Sequence, residues 1–395
     1  MEHNKLIFSK VPTLRFAEYT DEWHKYTLSD FVSRVTRRNK NNESSLSLTI
    51  SAQYGLVDQI TFFNKTVSSV DLSGYYLLYN GDFAYNKSYS NDYAWGAVKR
   101  LDKYEKGCLS SLYFVFRPTD KVDSDYLTHY FETSKWHKGI SNIAGEGARN
   151  HGLLNMAVDD YFATKHYLPS LSEQKKIACF LNLITKRIEI QNKIISDLKV
   201  LKKELCNKVF SKGSAVRIGD FIEEVTTRNK SNSCENVLSV SNKMGFIKQS
   251  EQFEDRTVAS EDKRNYKVVT EGCFAYNPAR INVGSIALLS TQKIGIISPM
   301  YVCFKTKNPL NSEYLNFYYQ SGFFYKELQK KLEGSVRQCL TYENMSEILI
   351  PYIGIEEQKT IAAALNKFAT LIANEEKYLK SLQKQKSYFL SAMFI

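Results

Sequence analysis

The sequence contains one short phrase twice: GDFAYN from Gly81 to Asn86, and GCFAYNP from Gly272 to Pro278. A shift of about 190 residues, the signature of an internal repeat, extends the match on both sides. Asp30, Phe31, Val35, Thr36, Arg38, Asn39 and Lys40 fall on Asp220, Phe221, Val225, Thr226, Arg228, Asn229 and Lys230. Ser51, Gly55 and Gln59 fall on Ser241, Gly245 and Gln249, and Ser110 and Phe116 on Ser298 and Phe304. LPSLSEQKKIACFL from Leu168 meets IPYIGIEEQKTIAAAL from Ile350. Chance does not keep register over so many segments. The chain is therefore two copies of one unit of about 180 residues. The stretches between the shared phrases differ almost completely, as expected of two similar modules that touch different things.

Each unit ends in a helical pattern. In the first, apolar residues recur at Ile177, Leu181, Ile184, Ile188, Ile195, Leu198, Leu205 and Val209; in the second, at Ile361, Leu365, Phe368, Ile372, Leu379, Leu382, Phe389 and Met393. Alternating steps of three and four make a heptad seam. The polar interruptions, Gln191 and Lys202, recur at the same places as Glu375 and Lys386. Ser170 and Glu173 have capping-box spacing, and Gly354 takes the cap position of the second helix, with Glu357 three residues on. Each helix is expected to run about 37 residues, or roughly 55 Å. An apolar seam must be buried, either on the helix's own module or against the matching seam. Antiparallel pairing sets Gln191 opposite Glu375.

The bodies, residues 26–168 and 216–350, read as compact domains of strands and short helices. SLYFVFRP and MYVCFKT are strand-like, and Ser312–Leu332 reads as one amphipathic helix. The expected fold class is α+β: two pseudo-repeated mixed α/β domains separated by two long helices paired as an antiparallel coiled coil. The boundaries are 1–168 for a lead-in and the first domain, 169–212 for the central helix, 213–350 for the second domain and 351–395 for the last helix.

Composition narrows the function. The chain is 43% hydrophobic with 18 Gly and 7 Pro, ordinary for a globular protein and unlike a disordered or membrane-spanning one. The start lacks the apolar core of a signal peptide, and the expected location is the cytoplasm. Seven scattered cysteines without CxxC spacing fit reduced thiols better than disulfides or zinc. The histidines form no HExxH or HxxxH pattern, so no metal site is expected. No P-loop, dinucleotide fingerprint or defensible Ser/His/Asp set is present. NPAR at Asn277–Arg280 lacks the second Pro and the aromatic of a base-flipping methyltransferase loop, and Glu261–Lys263 lacks the partner acids of a nuclease site. No catalytic residues are assigned.

Basic and amide side chains recur instead. The net charge is +11, which suits a polyanionic partner. Arg38-Asn39-Lys40, preceded by Arg37, recurs as Arg228-Asn229-Lys230. Tyr85-Asn86, followed by Lys87, recurs as Tyr276-Asn277, followed by Arg280 and Asn282. Arg149-Asn150 sits near the position of Arg337-Gln338. Arg, Asn and Gln present the paired donors and acceptors that match guanine and adenine edges, while Lys holds phosphate. These eighteen residues are the candidate DNA contacts. For Asn86 and Asn277 a structural turn explains the residue equally well.

The chain resembles, end to end, the specificity (S) subunit of type I restriction-modification systems. Val11–Asp30, with Pro12, Leu14, Arg15, Phe16, Trp23 and Leu28, is similar to that family's lead-in. The two EQK phrases with their helices are similar to its central and C-terminal conserved regions, and Gly272–Ser285 resembles a phrase of its recognition domains. The first copy departs from that phrase after Asn86. The resemblance implies two target recognition domains, each reading half of a split double-stranded DNA target, held at a fixed spacing by the paired helices. It implies a chain without catalysis or cofactor of its own. Two modification subunits would carry S-adenosylmethionine and methylate adenine, and restriction subunits would add ATP- and Mg-dependent translocation and cleavage. A DNA-acting enzyme with dispersed residues, or a coiled-coil scaffold that binds only proteins, are the alternatives.

Overall fold

A computed structural model describes residues 10–65, 71–89, 93–145, 152–242, 244–252, 262–333 and 338–395. The chain divides into two units. The first comprises residues up to Gln191 together with Tyr378–Ile395, and the second comprises Asn192–Lys377. The division falls inside both long helices.

Unit 1 contains β1 (His24–Thr27), β2 (Val32–Arg34), β3 (Leu48–Ser51), β4 (Gly55–Asp58), α1 (Gln59–Phe63), β5 (Tyr76–Tyr79), β6 (Phe83–Asn86), β7 (Ala97–Arg100), β8 (Lys106–Leu109) and β9 (Phe114–Pro118). These are followed by α2 (Ser124–Tyr130), α3 (His137–Ile143), α4 (Val158–Phe162), β10 (Lys165–Leu168) and the start of α5 (Leu171–Phe210). Unit 2 takes the rest of α5, then β11 (Ser214–Arg217), β12 (Ile222–Glu224), β13 (Val237–Ser241), β14 (Gly245–Lys248), α6 (Gln249–Gln252), β15 (Lys267–Thr270), β16 (Cys273–Tyr276), β17 (Ile286–Leu288), β18 (Ile294–Ile297) and β19 (Val302–Thr306). It closes with α7 (Ser312–Tyr319), α8 (Gly322–Gln329), α9 (Tyr342–Ser346), β20 (Leu349–Tyr352) and the start of α10 (Ile355–Ala392).

The repeat is a repeat of topology. The main sheet has order β2-β9-β6-β7 in unit 1 and β12-β19-β16-β17 in unit 2. The strand that enters each domain pairs with the strand that leaves it, β1 with β10 and β11 with β20. Hairpins β3-β4 and β13-β14 correspond, as do pairs β5-β8 and β15-β18. In unit 2 a parallel β13–β18 pairing joins these into one sheet; in unit 1 a single bridge, Ser47 to Cys108, stands there.

The FAYN phrases are inner strands, β6 and β16, each hydrogen-bonded on both sides. Alternation sends Phe83 and Tyr85, or Phe274 and Tyr276, to one face. Phe83 stacks on Phe116 with centroids 5.6 Å apart, and Phe274 on Phe304 at 5.1 Å. The glycine before each phrase has φ near +87° or +83°, a turn conformation that side chains resist. This is why Gly81 and Gly272 open the phrase twice.

The long helices run 40 and 38 residues, about 60 Å each at 1.5 Å per residue. Among the described residues no helix is long and apolar enough to cross a membrane. Every seam position is buried or half-buried, so both burial modes apply. Ile177 and Leu181 join the core of unit 1, and so do Met393 and Phe394, which directly follow α10. Phe210, at the far end of α5, joins the core of unit 2 with Ala362 and Leu365. The helices also meet directly. In unit 1 the Phe180 and Phe389 rings lie 4.9 Å apart and Arg187 donates to the Tyr378 hydroxyl; in unit 2 Lys199 pairs with Glu376 at 2.7 Å. Rising numbers on one helix meet falling numbers on the other, so the pairing is antiparallel.

The EQK phrase holds each helix to its domain. Gln174 accepts from the Asp123 amide at 2.8 Å and donates to the Pro169 carbonyl; Gln358 accepts from the Asn311 amide at 2.8 Å and donates to the Ile353 carbonyl. Both are buried. Two local expectations change. The capping box at Ser170 is half made: the Glu173 amide lies 3.4 Å from Ser170 Oγ, but its carboxylate accepts from Nε and Nη2 of Arg15, each at 2.7 Å. The helix expected over Ser312–Leu332 breaks at Gln320–Ser321, where the Ser321 hydroxyl caps α8.

The polar interruptions Lys202 and Lys386 face the domains. Lys202 sits 5.1 Å from the Phe317 ring, and Lys386 pairs with Glu132 at 2.8 Å. Burial works against the charged Glu132, but His129 and Lys386 outweigh it and hold the carboxyl down at about 2. A depressed carboxyl contributes stability that is complete above the usual carboxylate range, near pH 4.3, and is lost as pH falls toward 2. Glu132→Gln is therefore expected to lower stability at pH 7 and to shrink the difference between urea midpoints at pH 7 and pH 3. An unchanged pH difference would contradict this linkage.

Candidate nucleic-acid interface

The repeated Arg-Asn-Lys segment follows the first strand of each main sheet. Its middle residue is buried in both units. Asn39 donates to the Ser44 carbonyl at 2.9 Å and accepts from the Ser44 amide at 3.0 Å; Asn229 makes the same pair with Cys234 at 3.0 and 3.2 Å. A buried carboxamide bonded at both its oxygen and its nitrogen ties the loop between residues five apart and is not presented at the surface. Asn39 and Asn229 are thus loop clamps, which corrects their assignment as base contacts.

The flanking cations remain outside. Arg38 and Arg228 are exposed, and each donates to a backbone carbonyl across the loop, Gly74 at 2.6 Å or Asn265 at 2.9 Å. Arg38 also lies 4.4 Å over the Tyr76 ring. Lys40 and Lys230 are exposed on the clamped loop. The clamp thus fixes the backbone that presents an arginine and a lysine in each unit.

Tyr85 and Tyr276 are also corrected. Both are fully buried, and their hydroxyls donate to the carbonyls of Trp95 at 2.9 Å and Thr341 at 3.0 Å. Burial pushes both phenols far above the ordinary range. They belong to the core and are closed to DNA. Asn86 and Asn277 each accept from the amide two residues on, Ser88 at 2.9 Å and Ala279 at 3.0 Å. These are Asx turns, the structural alternative the sequence left open. Lys87 is half-buried with its ammonium 4.7 Å over the Phe114 ring, and burial lowers its pKa. Arg280 and Gln338 are exposed and Asn282 is half-buried. Arg149, Asn150 and Arg337 lie outside the described residues.

Sequence reasoning missed two polar features, the Gln174/Gln358 pins and a buried acid, Asp82. The pins had a signal, since EQK recurs in both copies. Asp82 had none, because it faces Cys273 in the repeat. Among the described residues no group of three or more His, Cys, Asp or Glu is placed to hold a metal ion.

The clamps predict a division of labour. Asn39→Ala or Asn229→Ala strands a buried amide and carbonyl and is expected to cost its own unit about 1–3 kcal/mol. Lys40→Ala is expected to stay within about 0.5 kcal/mol. Denaturant unfolding of the variants checks both; a neutral Asn39→Ala would remove the clamp role.

Comparison with known proteins places this frame. Residues 214–384 match the family model described as "Type I restriction modification DNA specificity domain". The chain is 25% identical over 331 residues to the Type I restriction enzyme MjaVIII specificity subunit of Methanocaldococcus jannaschii, spanning 73% of this chain and 74% of that one. In fold it is similar to the type I restriction-modification S subunit from M. genitalium, with a TM-score of 0.57 at 14% identity over 98% of this chain and 99% of the other. It is likewise similar to a chain solved in work on complex assembly and conformational transition of the type I R-M system, with a TM-score of 0.53 at 17% identity over 93% and 96%. The second half of the chain thus matches a type I restriction-modification DNA specificity domain, and over 73% of its length the chain is similar to a specificity subunit of that kind.

Proposed function

We propose that the two domains each read one half of a split double-stranded DNA target and that the helix pair sets the spacing between the halves. The observation that carries this reading is the duplicated frame with divergent filling. The same strands, glycine turn, Asx turn and Asn clamp occur twice, while the residues mounted between them differ. A common frame suits a common task, placing a reader on a groove; different filling suits two different half-sites. The charge of +11 favours a polyanion. Exposed Arg38, Lys40, Arg228 and Lys230 are the paired candidates for backbone contact.

In this reading the chain contributes specificity and no chemistry. Modification subunits dock on it, bring S-adenosylmethionine and methylate adenine; restriction subunits bring ATP and Mg. Helices of about 60 Å exceed one DNA turn of about 34 Å, which suits readers placed a turn or more apart.

Two experiments test this. Replacing residues 31–168 with those of a relative of different specificity is expected to change one half-site of the methylated motif and leave the other and the spacer intact. Inserting one or two turns into both long helices is expected to lengthen the spacer with both half-sites kept. Simultaneous change of both half-sites in the first case, or an unchanged spacer in the second, would contradict the proposal.

A further inference from the structure

Asp82 is completely buried and bound by two arginines that are not. Arg37 Nη2 lies 2.7 Å from one carboxylate oxygen, which also accepts from the Tyr79 amide at 2.8 Å. Arg117 Nε lies 2.6 Å from the other oxygen. The Arg37 and Arg117 side chains are 36% and 45% exposed. Arg37 is further fixed by Nε donating to the Leu77 carbonyl at 3.1 Å and by the Tyr79 ring 4.3 Å away. Among the described residues Arg117 uses only Nε toward the protein, which leaves both of its terminal nitrogens, and Nη1 of Arg37, for a ligand.

The frame does not need this triad. At the matching places unit 2 has Thr227, Cys273 and Lys305, yet builds the same main sheet in the same order. An acid buried under two charged groups is costly to assemble, and here it serves one unit only. What it does is immobilise two guanidinium groups at the surface, Arg117 with its terminal fork free and Arg37 with Nη1 free. Phosphate is held adequately by mobile lysines, whereas bidentate recognition of a base edge needs a planar fork in a fixed pose. We infer that Arg117 recognises guanine through its O6/N7 edge in the half-site of the first domain, that Arg37 adds a single donor beside it, and that Asp82 is the residue that positions both. This rests on the proposed reading of split DNA targets.

The test uses the assembled methyltransferase complex on duplexes carrying the motif mapped for the wild type, each G·C pair of the first half-site changed in turn. Arg117→Lys and Arg37→Lys keep the charge and remove the fork; Asp82→Asn frees it. Each variant is expected to lose about 5- to 150-fold of discrimination at one G·C pair, with the second half-site read as before. Retention of the remaining positions of the first half-site reports that the first domain is folded. If discrimination at every first-half position survives in Arg37→Lys and Arg117→Lys, the pair is a structural ion cluster and the inference is wrong. If the first half-site proves to contain no G·C pair, it is equally wrong. A wild type that methylates no split motif at all would instead overturn the reading on which it rests.

Discussion

Two seams of apolar residues that cannot stay in water govern this architecture. Each long helix starts in the core of one unit and leads into the core of the other: α5 carries Leu181 at one end and Phe210 at the other, and α10 carries Leu365 and is followed by Phe394. Burying one such side chain is worth about 1.5–3 kcal/mol. Neither domain completes its core from its own body alone. Phe394 packs against Tyr126 and Tyr130, and Phe210 against Tyr314 and Tyr318. The lead-in adds to this, since Leu14 and Thr13 both bond the Ala392 carbonyl. The helices are therefore structural members of both units.

On that base the repeat separates what is constant from what varies. The constant parts are backbone devices: a glycine turn, an inner strand of aromatics, an Asx turn, an Asn clamp and a Gln pin. All are satisfied internally, so they are closed to a ligand. The variable parts are side chains at the edges of those devices. The Asp82 triad and its replacement by Thr227, Cys273 and Lys305 are the clearest case. Under the proposed function, a chain built this way can change what it reads without changing how it folds.

Much of the fold was legible in the sequence because repeats and heptads are periodic. The two helices and the strands around Phe116 and Phe304 followed from spacing, whereas spacing left the burial of the seams open between the helix's own module and the matching helix. The site was less legible. A recurring Arg-Asn-Lys marks a constraint, but recurrence does not say whether the constraint is on binding or on the loop. Burial decides that, and Asn39, Asn229, Tyr85 and Tyr276 turned out to be inside. Asp82 was invisible for the opposite reason: its partners are 45 and 35 residues away, and nothing in the other copy echoes it. The break at Ser321 was missed because apolar period carries through a cap.

In the proposed function this chain dictates where adenine is methylated. This is tested most directly by long-read mapping of adenine methylation in the source cell with and without the gene. The account predicts that one split motif, two short half-sites around a fixed run of unspecified bases, disappears on deletion and returns on complementation. A methylation pattern identical in the two strains, in cells where the modification subunit is expressed, would contradict it.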